Sequence, residues 1–386
     1  MYTMERSVDR THADYTLLVC IMVLAVLGVA TLYSASYGYA LTLGLKPGHF
    51  ALRQLMYFMP PSIILFVLAS FIKISFVRKM AGIIVLLTLV LLALPFVPGI
   101  GITKNGAPRW FGFGDLMFQP SELFKPVLVV YLAHILSKKA ERLGDIVNAV
   151  LPPLIVALAG IGLVLLQNDF STAVLLILIT VVMFWIANVP FLFFAALASL
   201  GVPLVSLVVL TSDFRLKRVL GFLAPSYDPA DLSYQVNGSL RAIRSGGWFG
   251  RGLGQGVLKL RSIPEVQSDF VFAAWVEETG FLGVLIFIAV WVVLLFRVFV
   301  SSFRVADPYI QLLLFGMGSY LCMQTLLNIA VVAGAVPATG MPLPFFSSGG
   351  SSLLSVALAC GFINQGIVQG RTRSAAATEA AGVEYV

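Results

Sequence analysis

Charge is scarce in this chain. Acidic and basic residues together make up 11% of its 386 residues, whereas a soluble domain carries about a quarter. That shortage excludes an ordinary water-soluble globule and, with 59% hydrophobic residues, predicts a polytopic membrane protein. The formal net charge of +7 then reflects which loops carry basic residues, and nucleic acid is not an expected partner. Cysteine is scarcer still, at three residues. Cys20, Cys322 and Cys360 each fall inside an apolar run with no CxxC or Cys/His spacing, so they read as packing residues and not as disulfides or metal ligands. No fixed-period repeat and no paired interrupted helices stand out, which argues against a transporter built from inverted repeats.

What is abundant is apolar sequence in lengths that suit a bilayer. A spanning helix needs about 20 mostly apolar residues. Candidates lie at 15–37, 52–72, 80–98, 120–137, 147–166, 170–187, 190–211, 269–299, 308–334 and 349–369. The first follows Arg6, Asp9, Arg10 and Asp14; it is too long for a signal segment and lacks a cleavage site, so it is kept as a span. The expected fold is all-α, with about ten spans, a large external loop at 212–268 between the seventh and eighth, and one domain over 1–370. A short Ala-rich tail, 371–386, is expected to be disordered. Arg6, Arg10, Lys73, Arg78, Lys79, Lys138, Lys139, Arg142, Arg297, Arg304, Arg371 and Arg373 fall on the terminal side. The positive-inside rule therefore predicts cytoplasmic termini.

Ionisable residues inside spans cost at least about 2.5–3.5 kcal/mol each at the centre and mark partners or cavities. Glu122 and Lys125, at i,i+3, can pair, and Asp169 is a third member at the start of its own span. This cluster reads either as a structural ion pair or as a polar pocket open to the outside. Glu277 and Glu278 lie in the 269–299 span, which Asp269 opens. On a straight helix Glu277 stands about 30 Å from Arg297, with Asp269 roughly 12 Å further out, at headgroup level. Glu277 is then about 80° round the helix from Asp269 and can assist it, while Glu278 faces away. Spacing alone also suits Asp269 as an N-cap. The glycine-rich run from Gly246 to Gly256 has GxGxxG-like spacing but follows no βαβ strand, so it fails as a nucleotide fingerprint. It reads as a tight external or re-entrant turn, with Arg241, Arg244, Arg251, Lys259 and Arg261 near enough to meet phosphate or anionic headgroups.

Several motifs occur in order: Tyr33-Ser34-Ala35-Ser36, Asn105 to Trp110, Gln119-Pro120-Ser121-Glu122 with Lys125, Tyr234-Gln235 with Ser245-Gly246-Gly247, Pro264-Glu265 with Asp269-Phe270, and Thr339 to Phe345 running into Gly349-Gly350-Ser351-Ser352. Over residues 15–370 the chain resembles the SEDS proteins, whose members include FtsW and RodA. Asn105, the Leu258-Lys259-Leu260 run and the YSAS motif look more like FtsW, the division member. Gln267-Ser268 and Ser347-Ser348 depart from the family's usual His-Thr and Ser-Tyr.

The resemblance implies a bacterial inner-membrane glycosyltransferase that polymerises lipid II into peptidoglycan during septal synthesis, alongside a class B penicillin-binding protein, a single-span transpeptidase. It matches Asp269 to the catalytic acid, and Arg109, Glu122, Lys125, Asp169, Gln235, Ser239, Lys259 and Glu277 are the residues expected to bind substrate. A hydroxyl attacking an anomeric carbon needs a general base. A diphosphate leaves without an acid but needs charge stabilisation. Arg109 and Lys125 are the leading candidates for that charge, and a divalent Mg²⁺ or Mn²⁺ is expected with no ligands assigned. The competing readings are a lipid II flippase that uses Glu122, Lys125 and Asp169 as its path, the same polymerase acting in elongation, and a non-catalytic scaffold.

Overall fold

The computed structural model describes residues 13–104, 106–113, 116–211, 216, 220, 222, 232–257, 266–337 and 340–380. The chain is mostly helical, and a helix forms in each of the ten apolar stretches: α1 Tyr15–Thr42, α2 His49–Phe71 with a π turn at Gln54–Phe58, α3 Ile74–Ala93, α4 Pro120–Lys138, α5 Ile146–Leu166, α6 Phe170–Ile186 and α7 Phe191–Leu210, then α9 Val271–Phe303, α10 Pro308–Val332 and α11 Gly350–Ala380. Seven of these, α1, α2, α3, α5, α9, α10 and α11, are long and apolar enough to cross a membrane. The last helix continues ten residues beyond Gly370, to Ala380, where the sequence suggested a disordered tail. Alanine is the strongest helix former and lets the preceding helix propagate.

Burial sorts the helices into a centre and a wall. α4 is buried along almost its whole length and packs against α3, α6, α10 and α11; α10 packs on α4, α6, α9 and α11. α7 instead presents Leu200, Val202, Leu204, Leu207 and Leu210 outward, the surface expected of a helix facing lipid. Lipid supplies no hydrophobic drive between helices, so close packing and small residues matter more. A Cβ on Gly316 of α10 would press on Met183 and Val129, and one on Gly160 of α5 would overlap the Phe124 ring. At one end of the bundle Asp14 caps α1 through Leu17 N–H and accepts from Arg297 and Arg371, joining the ends of α1, α9 and α11.

One feature departs from the all-α expectation and another from the expected loop. A three-stranded antiparallel sheet fills the α3–α4 connection: β1 Gly101–Lys104, β2 Ala107–Phe113 and β3 Leu116–Phe118, in that order. Its register slips between Ile102 and Thr103, beside the Thr103–Pro108 pair, where proline has no N–H to give the ladder. Within the stretch expected to be a polar loop, α8 (Leu232–Gly246) packs along α9. Its apolar residues Val236, Leu240 and Ile243 recur at helical spacing.

The long helix α9 is not continuous. Gly280 has φ 65° and ψ −162°, which breaks the helix. The helix also starts at Val271 with Phe270 at its N-cap position, so Asp269 belongs to the preceding turn. The straight-helix heights and angles relating Asp269, Glu277 and Arg297 therefore do not hold.

Candidate active site

The polar residues singled out in the sequence gather at the end of the bundle where α4, α6 and α11 begin. Glu122 and Lys125, one turn into α4, form a 2.7 Å ion pair with both side chains almost fully buried. Lys125 Nζ also donates to Gln324 Oε1 at 2.8 Å and lies 5.5 Å from the centre of the Tyr320 ring. Tyr320 Oη and Ser355 Oγ are 2.9 Å apart, and Ser355 Oγ donates to the Glu122 carbonyl. The charge is thus enclosed by an acid, an amide and an aromatic face, as a buried ammonium must be.

Asp169 joins this cluster through Gln119, a motif residue not predicted to take part in the site. Gln119 Nε2 donates to Asp169 Oδ2 at 2.9 Å and to Ser121 Oγ at 3.0 Å. Asp169 Oδ1 meanwhile accepts from Thr172 N–H and caps α6. The capping role weighed for Asp269 is therefore filled by Asp169 on its own helix. Arg109, on β2, donates to the carbonyls of Gln167 and Asn168, fastening the sheet to the turn before Asp169. Its guanidinium also lies over the Trp110 ring.

Asp269 is held differently. Its side chain is partly exposed, while the turn beneath it is pinned through the backbone. Asn328 Nδ2 donates to the Asp269 carbonyl at 2.9 Å and to the Met341 carbonyl at 2.7 Å. Ser348 N–H donates to the Gln267 carbonyl, and Val266 and Phe270 on either side are buried. Gly340 leaves the flank of the carboxylate open, for a Cβ there would stand 3.2 Å from Asp269 Oδ2.

A single connected path runs between the two acids. Gln324 Oε1 accepts a hydrogen bond from Lys125 on one side and its Nε2 donates to the Pro342 carbonyl on the other, and Asn328, one turn along α10, ties Met341 to Asp269. Two amides four residues apart inside an apolar span were visible in the sequence, although only ionisable residues were searched for. Beside the path lies a cavity of about 170 Å³ lined by Arg53, Trp110, Gln119, Glu122, Pro342 and Ser351, among others.

Other expected residues fall elsewhere. Glu277 is fully buried, and its Oε1 accepts from Val257 N–H in the glycine-rich loop. Glu278 accepts from Gly254 N–H and Ser34 Oγ. Ser239 is fully buried on α8 and donates to the Val332 carbonyl of α10 at 2.7 Å. Gln235 sits on the same helix, partly exposed. Lys259 and Arg261 lie outside the described residues. Among the described residues no group of three His, Cys, Asp or Glu comes together to hold a metal.

Fold and site together define a multi-pass membrane protein with a buried charge cluster and a partly exposed acid at one end of its bundle. The chain belongs to the family described as cell cycle protein, FtsW/RodA/SpoVE, which it matches over residues 14–370. It is 33% identical over 353 residues to a probable peptidoglycan glycosyltransferase FtsW of Trichlorobacter lovleyi, covering 91% of this chain and 92% of that one. It is 32% identical over 354 residues to stage V sporulation protein E of Bacillus subtilis, covering 92% and 96%. Its structure is similar to a chain of a peptidoglycan synthase complex studied for the coordination of polymerization and crosslinking, with TM-score 0.77, 29% identity, and 94% and 98% of the two chains covered. The Thermus thermophilus rod shape determining protein RodA aligns with TM-score 0.68 at 27% identity, over 93% and 97%.

Proposed function

We propose that this protein polymerises lipid II into the glycan strands of septal peptidoglycan, with Asp269 as general base. The family and its named relatives support a peptidoglycan glycosyltransferase. The observation that carries the assignment of the base is a contrast in exposure. Glu122, Asp169, Glu277 and Glu278 are each 3% exposed or less, whereas Asp269 is partly exposed on a turn held by its backbone. A base must reach the proton it removes, and its geometry must not wander.

In this reading Asp269 takes the proton of the acceptor sugar's 4-hydroxyl as that oxygen attacks the anomeric carbon of the polyprenyl-diphosphate-linked strand. The carbon inverts, the bond to the diphosphate breaks, and the diphosphate departs with the electron pair. Arg109 and Arg53, at the sheet and the cavity, are the better-placed cations for the leaving group, since Lys125 is sealed behind Glu122. Lys125 sets the charge and position of Glu122, which lines the cavity. A divalent cation suits these residues only if the diphosphate carries it, because the described side chains supply no three-ligand set. The reading places the termini in the cytoplasm, Asp269 on the outer face, and a single-span class B transpeptidase as partner.

The test is reconstitution with fluorescent lipid II and the partner. Glycan strands resolved on a gel support the polymerase. Leaflet exchange without strands points to a flippase and overturns this reading.

A further inference from the structure

Residues 247–257, which follow α8, are built inside out for a segment in water. Many of their backbone N–H groups are taken up internally: those of Gly250, Arg251, Gly252 and Gln255 donate to the carbonyls of Gly246, Glu277, Glu278 and Gly252, at 2.8–3.1 Å. Those of Gly254 and Val257 donate to the side chains of Glu278 and Glu277. In return the Gly247 and Trp248 carbonyls accept from Phe281 and Leu282 N–H, the groups freed by the break at Gly280. Glycine is required for so close an approach, because a Cβ on Gly246, Gly250 or Gly280 would overlap backbone atoms of the opposite segment.

The side chains do the opposite. Trp248, Phe249 and Leu253 are 72%, 83% and 71% exposed. The Trp248 ring stacks edge-on against Phe281 at 5.1 Å, and the apolar surface continues along α9 through Leu282, Leu285 and Ile286. Non-helical backbone at membrane depth is tolerated where it is buried against protein or lines a water-filled cavity, and here it lies hydrogen-bonded along α9; tryptophan favours the lipid–water interface. Arg251 on this segment and Arg241 and Arg244 on the end of α8 leading into it are exposed, where long cationic side chains can reach headgroup phosphates.

We propose that residues 247–257 are a membrane-embedded anchor. They seat Trp248, Phe249 and Leu253 among the acyl chains just below the headgroups, with the arginines at anionic phospholipid, and so hold the upper segment of α9 at a fixed depth. This assignment does not depend on the chemistry of Asp269.

Full-length protein and its Trp248→Phe variant, which keeps a ring against Phe281, are reconstituted in phosphatidylcholine–phosphatidylglycerol vesicles. Tryptophan emission is then quenched by lipids brominated near the top of the acyl chain, or by aqueous iodide. The expected result is that Trp248→Phe removes part of the bromolipid-quenched emission and none of the iodide-quenched emission. Leu253→Trp in that background should restore the bromolipid response. Iodide quenching of the Trp248 component without bromolipid quenching would place the loop in water and overturn the proposal. Shielding from both quenchers would also overturn it, by showing that protein covers the surface.

Discussion

Glu122 and Asp269 stand at the two ends of one hydrogen-bonded path, yet their surroundings are opposites. Glu122 is almost fully buried, ion-paired at 2.7 Å and set in the first turn of a central helix. Asp269 is partly exposed, lies in a turn and is positioned through its carbonyl. A carboxylate whose lysine is a contact away has its charge already spent on structure. One whose backbone is fixed and whose side chain is partly exposed can be reached by a substrate. Under the proposed function, the comparison separates what the fold needs from what the chemistry needs, although both residues sit at the same end of the bundle.

Breaking the comparison at Asp269 should give the largest effect. Asp269→Ala is expected to lower polymerisation by at least about 10²–10⁴-fold, the contribution of a general base, with the thermal midpoint in detergent unchanged. Lys125→Met should act on stability first, costing about 3–5 kcal/mol by leaving Glu122 as a buried unpaired charge. The double variant Glu122→Gln/Lys125→Met should recover most of that loss, as read by the midpoint. If the double variant is stable yet inactive, the pair also touches substrate.

Gly280→Ala should cost at least about 1–3 kcal/mol, the strain of a φ,ψ pair that essentially only glycine adopts. The added methyl would also push on the Gly250 amide, so limited proteolysis within 246–257 should accelerate. Ser239→Ala should be the mildest. Losing the hydroxyl bond to Val332 costs about 1 kcal/mol, and KM for lipid II is expected to stay the same, because the hydroxyl fastens α8 to α10.

Much of this architecture could be read from the chain because bilayer thickness imposes a length on every apolar run. The ten stretches, the Glu122–Lys125 pair and the nearness of Asp169 to it all follow from that constraint and from the cost of charge in lipid. What escaped has physical reasons. The sheet at 101–118 is made of strands of three to seven residues, one containing Pro108, and carries no sustained alternation. α8 was hidden by its polar face, although Val236, Leu240 and Ile243 marked its apolar one. The break at Gly280 lies inside the 269–299 stretch, just after Glu277-Glu278-Thr279, and hydropathy cannot register a change of direction. Its clue was a glycine in a helix of 33 residues, longer than a bilayer requires. The path through Gln324 and Asn328 needed three dimensions, since it joins residues from four segments of chain.

The most direct test is Asp269→Asn, which keeps the size and hydrogen-bonding shape of the side chain and removes only its basicity. Purified with its transpeptidase partner and given lipid II, this variant is predicted to bind substrate and form no detectable glycan strand. Polymerisation at close to the wild-type rate would contradict the assignment of Asp269 as the base.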